Sequence, residues 1–208
     1  MKCLLLVDIQ NDFCAGGALA VPHADEVVKV AYRLMLVAPV TVSTQDYHPA
    51  NHKSFASNHK DKNVFDVVDL NGLTQVLWPD HCVQGTNGAN FHPELPYQSN
   101  VFIKGTDVEV DSYSGFFDNG KKNKTQLDGF LKLCNVDELF VMGLATDYCV
   151  KFTVLDALEL GYKVNLVVDG CRGVNMKEND STDAINLMES SGAKIIDSIE
   201  AEKKLSES

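Results

Sequence analysis

The sequence has no long hydrophobic run and no dense cluster of basic residues. The apolar stretch near its start covers five residues before Asp8, too short for the core of a signal peptide, and no run reaches the roughly 18 apolar residues of a membrane span. Lys and Arg number 18 against 29 Asp and Glu, which gives a formal net charge of −11. Because no basic stripe is available for phosphates, we expect binding to neither nucleic acid nor membrane. The lack of a signal-peptide core and of a membrane span leads us to expect a cytoplasmic protein.

The chain also lacks a CxxC pair, internal repeats, low-complexity segments and linkers. Its six cysteines are widely scattered, and in a reducing compartment such cysteines are free thiols more often than disulfides. Of the 208 residues, 45% are hydrophobic and 23% are charged, as in globular proteins generally. We expect one domain spanning residues 1–208.

Short apolar runs alternate with helical periodicity along most of the chain. Runs such as LLLV and LVV suit strands that are buried on both faces, and two predicted helices stop at glycines, Gly161 and Gly192. The pattern predicts a three-layer α/β/α sandwich with a parallel sheet of about six strands. The predicted strands are 3–7, 40–43, 101–103, 139–142, 164–168 and 194–196, and the predicted helices are 25–37, 125–133, 147–160 and 181–190.

The stretch 46–100 departs from this pattern. It contains four of the six prolines and five of the six histidines, and its periodicity is weak. A surface excursion is one interpretation. The clustered histidines and the WPDHC motif instead favour an ordered functional site, since long loops in compact domains are often functional.

Ionisable and nucleophilic residues follow four of the predicted strands. In an open parallel sheet, ligands bind beyond the carboxyl ends of the strands, so these side chains should meet at one edge. The residues concerned are Asp8, Asp46 with His48, Lys104 and Cys149.

Three of these residues form a set suited to nucleophilic catalysis. Cys149 lies near the start of a predicted helix that Thr146 or Asp147 could cap, where N–H dipoles favour a thiolate. Lys104 can stabilise that thiolate, and Asp8 can accept the thiol proton and return it to a leaving amine. Each residue also has an ordinary interpretation: a small buried cysteine, a turn aspartate and a lysine that reaches solvent.

A metal site is a second interpretation of the strand ends. Asp46 and His48 are separated by one residue, which in an extended chain places both side chains on one face. His81 could complete the site, and His52 could be a fourth ligand or a partner of a ligand. One carboxylate with two imidazoles suits zinc, iron or manganese, although loop histidines are more often ordinary surface residues.

Several motifs together resemble the cysteine hydrolases of the isochorismatase-like superfamily. They are DIQNDF, QDYHPANHKSF, WPDHCVQGT, IKGTD, YSGF and GLATDYCV, and they extend from Asp8 to Cys149. The resemblance is strongest to members that convert nicotinamide to nicotinate and ammonia in NAD salvage. It implies a catalytic triad of Asp8, Lys104 and Cys149, a thioester intermediate, and a divalent metal on Asp46, His48 and His81, with zinc preferred.

The resemblance also implies a substrate pocket and an oxyanion hole. The pocket residues would be Phe13, Leu19, Trp78, Tyr113 and Tyr148. The oxyanion hole would use the backbone N–H groups of Ala145 and Cys149, with a cis peptide bond between Leu144 and Ala145.

The sequence leaves two other functions open. One is a metal-dependent hydrolase of another small cyclic amide, such as pyrazinamide. The other is a catalytically silent binding protein, which would have no need to retain the acid, amine, thiol and metal ligands together. The expected partner is the small-molecule substrate, and a homo-oligomer is possible.

Overall fold

The computed structural model describes residues 1–207, and its central feature is a six-stranded parallel sheet. The strand order is β5-β2-β1-β6-β7-β8, and two further strands form a separate antiparallel hairpin. The strands are β1 (Lys2–Val7), β2 (Thr41–Asp46), β3 (Val67–Leu70), β4 (Leu73–Val76), β5 (Val101–Lys104), β6 (Glu138–Leu144), β7 (Lys163–Arg172) and β8 (Lys194–Ile196).

Five α-helices cover the sheet and produce the three predicted layers. Helix α1 packs against α5, and α3 packs against α4. Right-handed crossovers that run in opposite directions from the sheet centre place these two pairs on opposite faces. The helices are α1 (Asp25–Met35), α2 (Leu127–Leu133), α3 (Lys151–Glu159), α4 (Asp180–Ser190) and α5 (Ser198–Ser206). Within residues 1–207, none has the length and hydrophobicity to cross a bilayer.

The core lies around the two central strands. From Cys3 to Val7, the residues of β1 are at most 1% exposed, and β6 is buried from Leu139 to Leu144. Side chains on both faces of these strands contact helices, which explains the continuous apolar runs in the sequence. The predicted fold class is confirmed, and each of the six predicted strands lies within an observed strand of the sheet except for the single residue Val40.

Two elements were missed. The hairpin β3–β4 turns at Asn71 and Gly72, both with positive φ angles (55° and 86°), as a tight hairpin turn requires. Helix α5 begins after Asp197, whose side chain accepts a hydrogen bond from the backbone N–H of Glu200 (2.8 Å). Both signals are readable: Asn-Gly between short apolar runs, and an acidic cap followed three residues later by Glu.

The chain order places a crevice between β1 and β6. From β1 the chain crosses to β2 on one side, and from β6 it crosses to β7 on the other side. At such a switch point the loops after neighbouring strands diverge and leave space for a ligand. Asp8 follows β1 and Cys149 follows β6, so the crevice brings these two residues together.

We expect Gly143→Ala to destabilise the protein by more than about 3 kcal/mol. Gly143 has a φ angle of 131°, and a Cβ atom there would lie 2.1 Å from the carbonyl oxygen of Val7. The matched control is Gly129→Ala in α2, where a Cβ atom meets nothing within 4 Å. That change should stabilise the helix by about 0.5–1 kcal/mol. Urea unfolding measures both, and equal midpoints for the two variants would contradict the packing described here.

Candidate active site and metal cluster

The Lys104 ammonium group lies at the centre of the site. Its Nζ donates hydrogen bonds to Asp46 Oδ1 (2.5 Å), to the carbonyl oxygen of Ser112 (2.9 Å) and to Cys149 Sγ (3.4 Å). It also lies 2.8 Å from Asp8 Oδ2. The side chain of Lys104 is 0% exposed, so its charge is balanced by the two carboxylates rather than by water.

Burial raises the pKa of the Cys149 thiol well above its usual value. Lys104 acts in the opposite direction, as the sequence suggested, but Asp8 and Asp46 add to the effect of burial. Neither Thr146 nor Asp147 provides the expected helix cap, and the turn Thr146–Val150 is π-helical. Cys149 is therefore held as a neutral thiol until a base removes its proton.

Asp8 is placed to act as that base. Its Oδ1 accepts a hydrogen bond from Thr44 Oγ1 (2.6 Å). Its Oδ2 is buried and forms an ion pair with Lys104 Nζ (2.8 Å), and the Cys149 thiol is a hydrogen-bond partner of the same carboxylate. Burial raises the pKa of Asp8 to about 6, and Lys104 partly offsets this rise. A buried carboxylate that contacts the thiol and has a pKa near neutrality suits proton transfer in both directions.

Asp46, His48 and His81 converge on the other side of Lys104. Their ligand atoms lie within 4.8 Å of one another, and all three side chains are buried. Asp46 Oδ2 is 3.7 Å from His48 Nε2 and 4.0 Å from His81 Nε2. The Nδ1 atoms of the two histidines lie 2.8 Å from backbone carbonyls, those of Gly105 and Pro79. When Nδ1 carries the proton and donates it to a carbonyl oxygen, the lone pair of each Nε2 is free to bind a metal.

His52 belongs to a second group beside the first. Its Nδ1 lies 2.7 Å from Ser54 Oγ, while its buried Nε2 has no hydrogen-bond partner among the described residues. Ligand atoms of His48, His52 and Asp111 also lie within 4.8 Å of one another. The imidazoles and carboxylates of these two groups, together with the unpartnered Nε2 of His52, fit a divalent metal of the zinc type.

A cavity opens directly above Cys149 and contains about 350 Å³ of space, including its mouth. Trp78 and Tyr148 meet edge to face with ring centroids 4.7 Å apart, and Trp78 Nε1 donates to the Tyr113 hydroxyl (3.2 Å). The peptide bond between Leu144 and Ala145 is cis, as expected. All five residues assigned to the pocket from sequence line it, together with Ala145, Cys149, Asp46 and His81: they are Phe13, Leu19, Trp78, Tyr113 and Tyr148.

Sequence reasoning missed three contributors to the site. Asp111 and Val174 line the pocket, and Thr44 holds Asp8. Asp111 is 3% exposed, and Gln75 Nε2 donates to its Oδ2 (3.0 Å). The surrounding sequence, VEVDS, does not indicate that Asp111 is buried. Thr44 pairs with Val7 in the register of β1 and β2, which places its hydroxyl next to Asp8.

The fold and this combination of thiol, carboxylate, ammonium and metal-type donors define a class of protein. The family model described as Isochorismatase domain matches residues 2–200, and the chain belongs to that family.

Particular relatives narrow the class. The chain is 56% identical to the nicotinamidase of Escherichia coli over 198 residues, which cover 92% of each protein. A nicotinamidase/pyrazinamidase structure from Acinetobacter baumanii superimposes with a TM-score of 0.91 at 40% identity, covering 96% of this chain and 97% of that one. A pyrazinamidase of Pyrococcus horikoshii in complex with zinc has a TM-score of 0.77 at 36% identity, with coverages of 94% and 98%.

We expect Cys149 of chelator-treated protein to react slowly with iodoacetamide near neutral pH. Because its pKa is raised, the thiolate fraction and the alkylation rate should still increase above pH 9, where a free cysteine approaches its plateau. Lys104→Met should slow the reaction further, and Lys104→Arg should retain part of the rate. Peptide mass spectrometry with the partly exposed Cys134 as internal reference measures this. A plateau below pH 8, or a rate that Lys104→Met leaves unchanged, would contradict the electrostatics.

We expect chelation to lower the melting temperature reversibly, because only the folded chain assembles the metal cluster. A ligand at a hundredfold excess over its Kd adds about 2.7 kcal/mol to stability. His48→Ala and His81→Ala should reproduce the effect of the chelator, and His52→Ala should weaken metal binding about 10- to 100-fold. The control is the exposed His23→Ala. Fully active protein with no bound transition metal by elemental analysis would rule out the cluster as a metal site.

Proposed function

We propose that the protein is a nicotinamidase, which hydrolyses nicotinamide to nicotinate and ammonia. The carrying observation is the thiol of Cys149 at the floor of an aromatic pocket, 3.4 Å from an ammonium group that also pairs with a buried carboxylate. The relatives named nicotinamidase or pyrazinamidase cover nearly the whole chain and support the same reaction. We propose that the reaction belongs to NAD salvage in the cytoplasm and that residues 1–208 form one hydrolase domain.

The first half of the proposed reaction forms a thioester. Asp8 takes the proton from Cys149 Sγ as the sulfur attacks the carboxamide carbon, and the carbonyl oxygen becomes an oxyanion. The backbone N–H groups of Ala145 and Cys149 stabilise that charge, and one such donor contributes about 3–4 kcal/mol. Asp8 then gives its proton to the amide nitrogen, the C–N bond breaks, and ammonia leaves.

The second half returns the enzyme to its starting state. Asp8 accepts a proton from water as the water oxygen attacks the thioester carbon. The C–S bond then breaks, the proton passes from Asp8 to the Cys149 sulfur, and nicotinic acid leaves and ionises. Lys104 remains charged throughout and stabilises the sulfur anion whenever it forms.

The metal cluster adjoins the pocket through Asp46 and His81, which line both. We propose that these residues and His48 hold one divalent metal, zinc by preference, which would supply a Lewis acid beside the pocket. The zinc-containing pyrazinamidase relative supports this choice of metal. Asp46 serves two groups at once, since its Oδ1 binds Lys104 while its Oδ2 faces the imidazoles.

The pocket also suits pyrazinamide, whose ring has the same size as that of nicotinamide. The walls are mostly apolar or aromatic. We propose that both amides are substrates.

The test of this function is ammonia release from nicotinamide by the purified, metal-loaded protein. We expect turnover that Cys149→Ala reduces by more than about a thousandfold, because no other group can form the thioester. Cys134→Ala, which changes a thiol remote from the pocket, should leave the rate unchanged. Bound nicotinamide should still be detectable in Cys149→Ala by calorimetry. Substantial turnover in that variant would mean that water attacks the amide directly.

A further inference from the structure

The loop after β1, residues 8–13, contains polar side chains that the proposed reaction does not use. Gln10 is 0% exposed, and Asp12 directs its carboxylate toward two backbone N–H groups. Neither residue lines the pocket above Cys149. Groups of this kind are costly to bury without partners, so their partners indicate what they do.

Gln10 makes two hydrogen bonds to the backbone of Asp46. Its Oε1 accepts the hydrogen bond of the Asp46 N–H group (2.8 Å), and its Nε2 donates to the Asp46 carbonyl oxygen (2.8 Å). The second hydrogen on Nε2 binds the carbonyl oxygen of Ala89 (2.9 Å). Two hydrogen bonds between the same pair of residues fix the rotation of Asp46 as well as its position.

Asp12 holds the segment that carries His81. Its Oδ2 accepts the N–H of Cys82, the next residue, at 2.7 Å. Cys82 has a φ angle of 46°, an uncommon conformation for a residue other than glycine, so this bond supports a strained position. The carbonyl oxygen of Cys82 in turn accepts the N–H of His48 (3.0 Å). One contact from Asp12 therefore fixes the backbone that lies between two of the imidazoles.

The segment opposite the loop is shaped around this carboxylate. A Cβ atom at Gly88 would lie 2.0 Å from Asp12 Oδ2, and the Gly88 carbonyl oxygen accepts the Asp12 N–H (3.0 Å). Asp12 Oδ1 accepts the N–H of Ala18 (3.2 Å), beside the pocket residue Leu19. Asp12 is half-buried, and these contacts fix the position of its carboxylate.

We propose that Gln10 and Asp12 are positioning residues for the metal cluster, holding the backbones of Asp46, His48 and His81 so that their donor atoms are assembled before the metal arrives. The inference rests on the metal site of the proposed function. The three donors come from two separate segments, and ordering them at the moment of binding would cost conformational entropy. Because Gln10 and Asp12 already fix these segments in the metal-free protein, little of that entropy is lost when the metal binds.

The experiment compares Zn²⁺ affinity of metal-stripped variants by competition with a chromophoric chelator. In Asp12→Asn, the single amide oxygen can serve only one of the two N–H groups, and its NH₂ faces the other. Gln10→Glu keeps the size of the side chain but directs an oxygen at the carbonyls of Asp46 and Ala89. We expect each change to weaken Zn²⁺ binding about 10- to 100-fold.

The matched control is Asn11→Ala in the same loop. Its Nδ2 binds only the carbonyl oxygen of Asn87 (2.8 Å), away from the metal ligands, so the Zn²⁺ Kd should stay within about twofold of the parent. Added Zn²⁺ should restore nicotinamide turnover in Asp12→Asn and Gln10→Glu. A purely structural role would instead lower the melting temperature of the metal-free protein without changing the Kd of the folded fraction.

If Asp12→Asn and Gln10→Glu do not fold, Asp12→Ala supplies a second variant, because it removes both accepted hydrogen bonds at a half-buried position without adding an atom. Folded variants that bind Zn²⁺ within about twofold of the parent would overturn the inference. A parent protein that binds no Zn²⁺ would overturn it together with the metal site. Ammonia release from nicotinamide tests the proposed reaction separately, so the two failures are distinguishable.

Discussion

The site depends on one buried cation. The Lys104 ammonium binds Asp46 and the Ser112 carbonyl, contacts Cys149 and neutralises Asp8, all away from water. Two carboxylates this deeply buried would be strongly disfavoured without it, because removing one partner of a buried ion pair leaves an uncompensated charge. Lys104 also pairs with Asp8 Oδ2 (2.8 Å), and the same carboxylate is a hydrogen-bond partner of the Cys149 thiol.

The shared cation joins two kinds of chemistry in a small volume. Lys104 contacts Cys149 and Asp8, the proposed nucleophile and its proposed base, and it also binds Asp46, which belongs to the candidate metal donors. The charge of Asp46 also raises the pKa of the Cys149 thiol. This arrangement explains why the pocket floor has a thiol at one end and metal-type donors at the other.

The sequence predicted the parts of this design that follow from chain order. Apolar runs located the central strands, and polar residues after four of those strands marked Asp8, Asp46, Lys104 and Cys149 as neighbours. Those assignments needed only the rule that parallel strands end at one edge. The resemblance to cysteine hydrolases added the pocket residues, which spacing alone could not place.

Other features could not be read from the chain because they depend on contacts between distant segments. Asp111 becomes part of the pocket only because its loop folds back against Gln75. The acidity of Cys149 was harder still: its neighbours were predictable, but the outcome depends on the extent of burial, which exceeds the effect of Lys104. The side chain of Asp147 suggested a helix cap, yet it accepts hydrogen bonds from the backbone of Val174 and Asn175.

The central claim is that the Cys149 sulfur bonds directly to the carbonyl carbon of the substrate. The most direct measurement is the ¹³C NMR spectrum of the aldehyde analogue of nicotinamide, labelled at its carbonyl carbon and bound to the protein. An aldehyde can accept the thiol but has no leaving group, so the adduct persists. We expect the signal of a tetrahedral carbon bonded to sulfur and oxygen, and we expect this signal to be absent in Cys149→Ala. A bound carbon that remains an aldehyde, or becomes a hydrate with two oxygens, in the unaltered protein would contradict it.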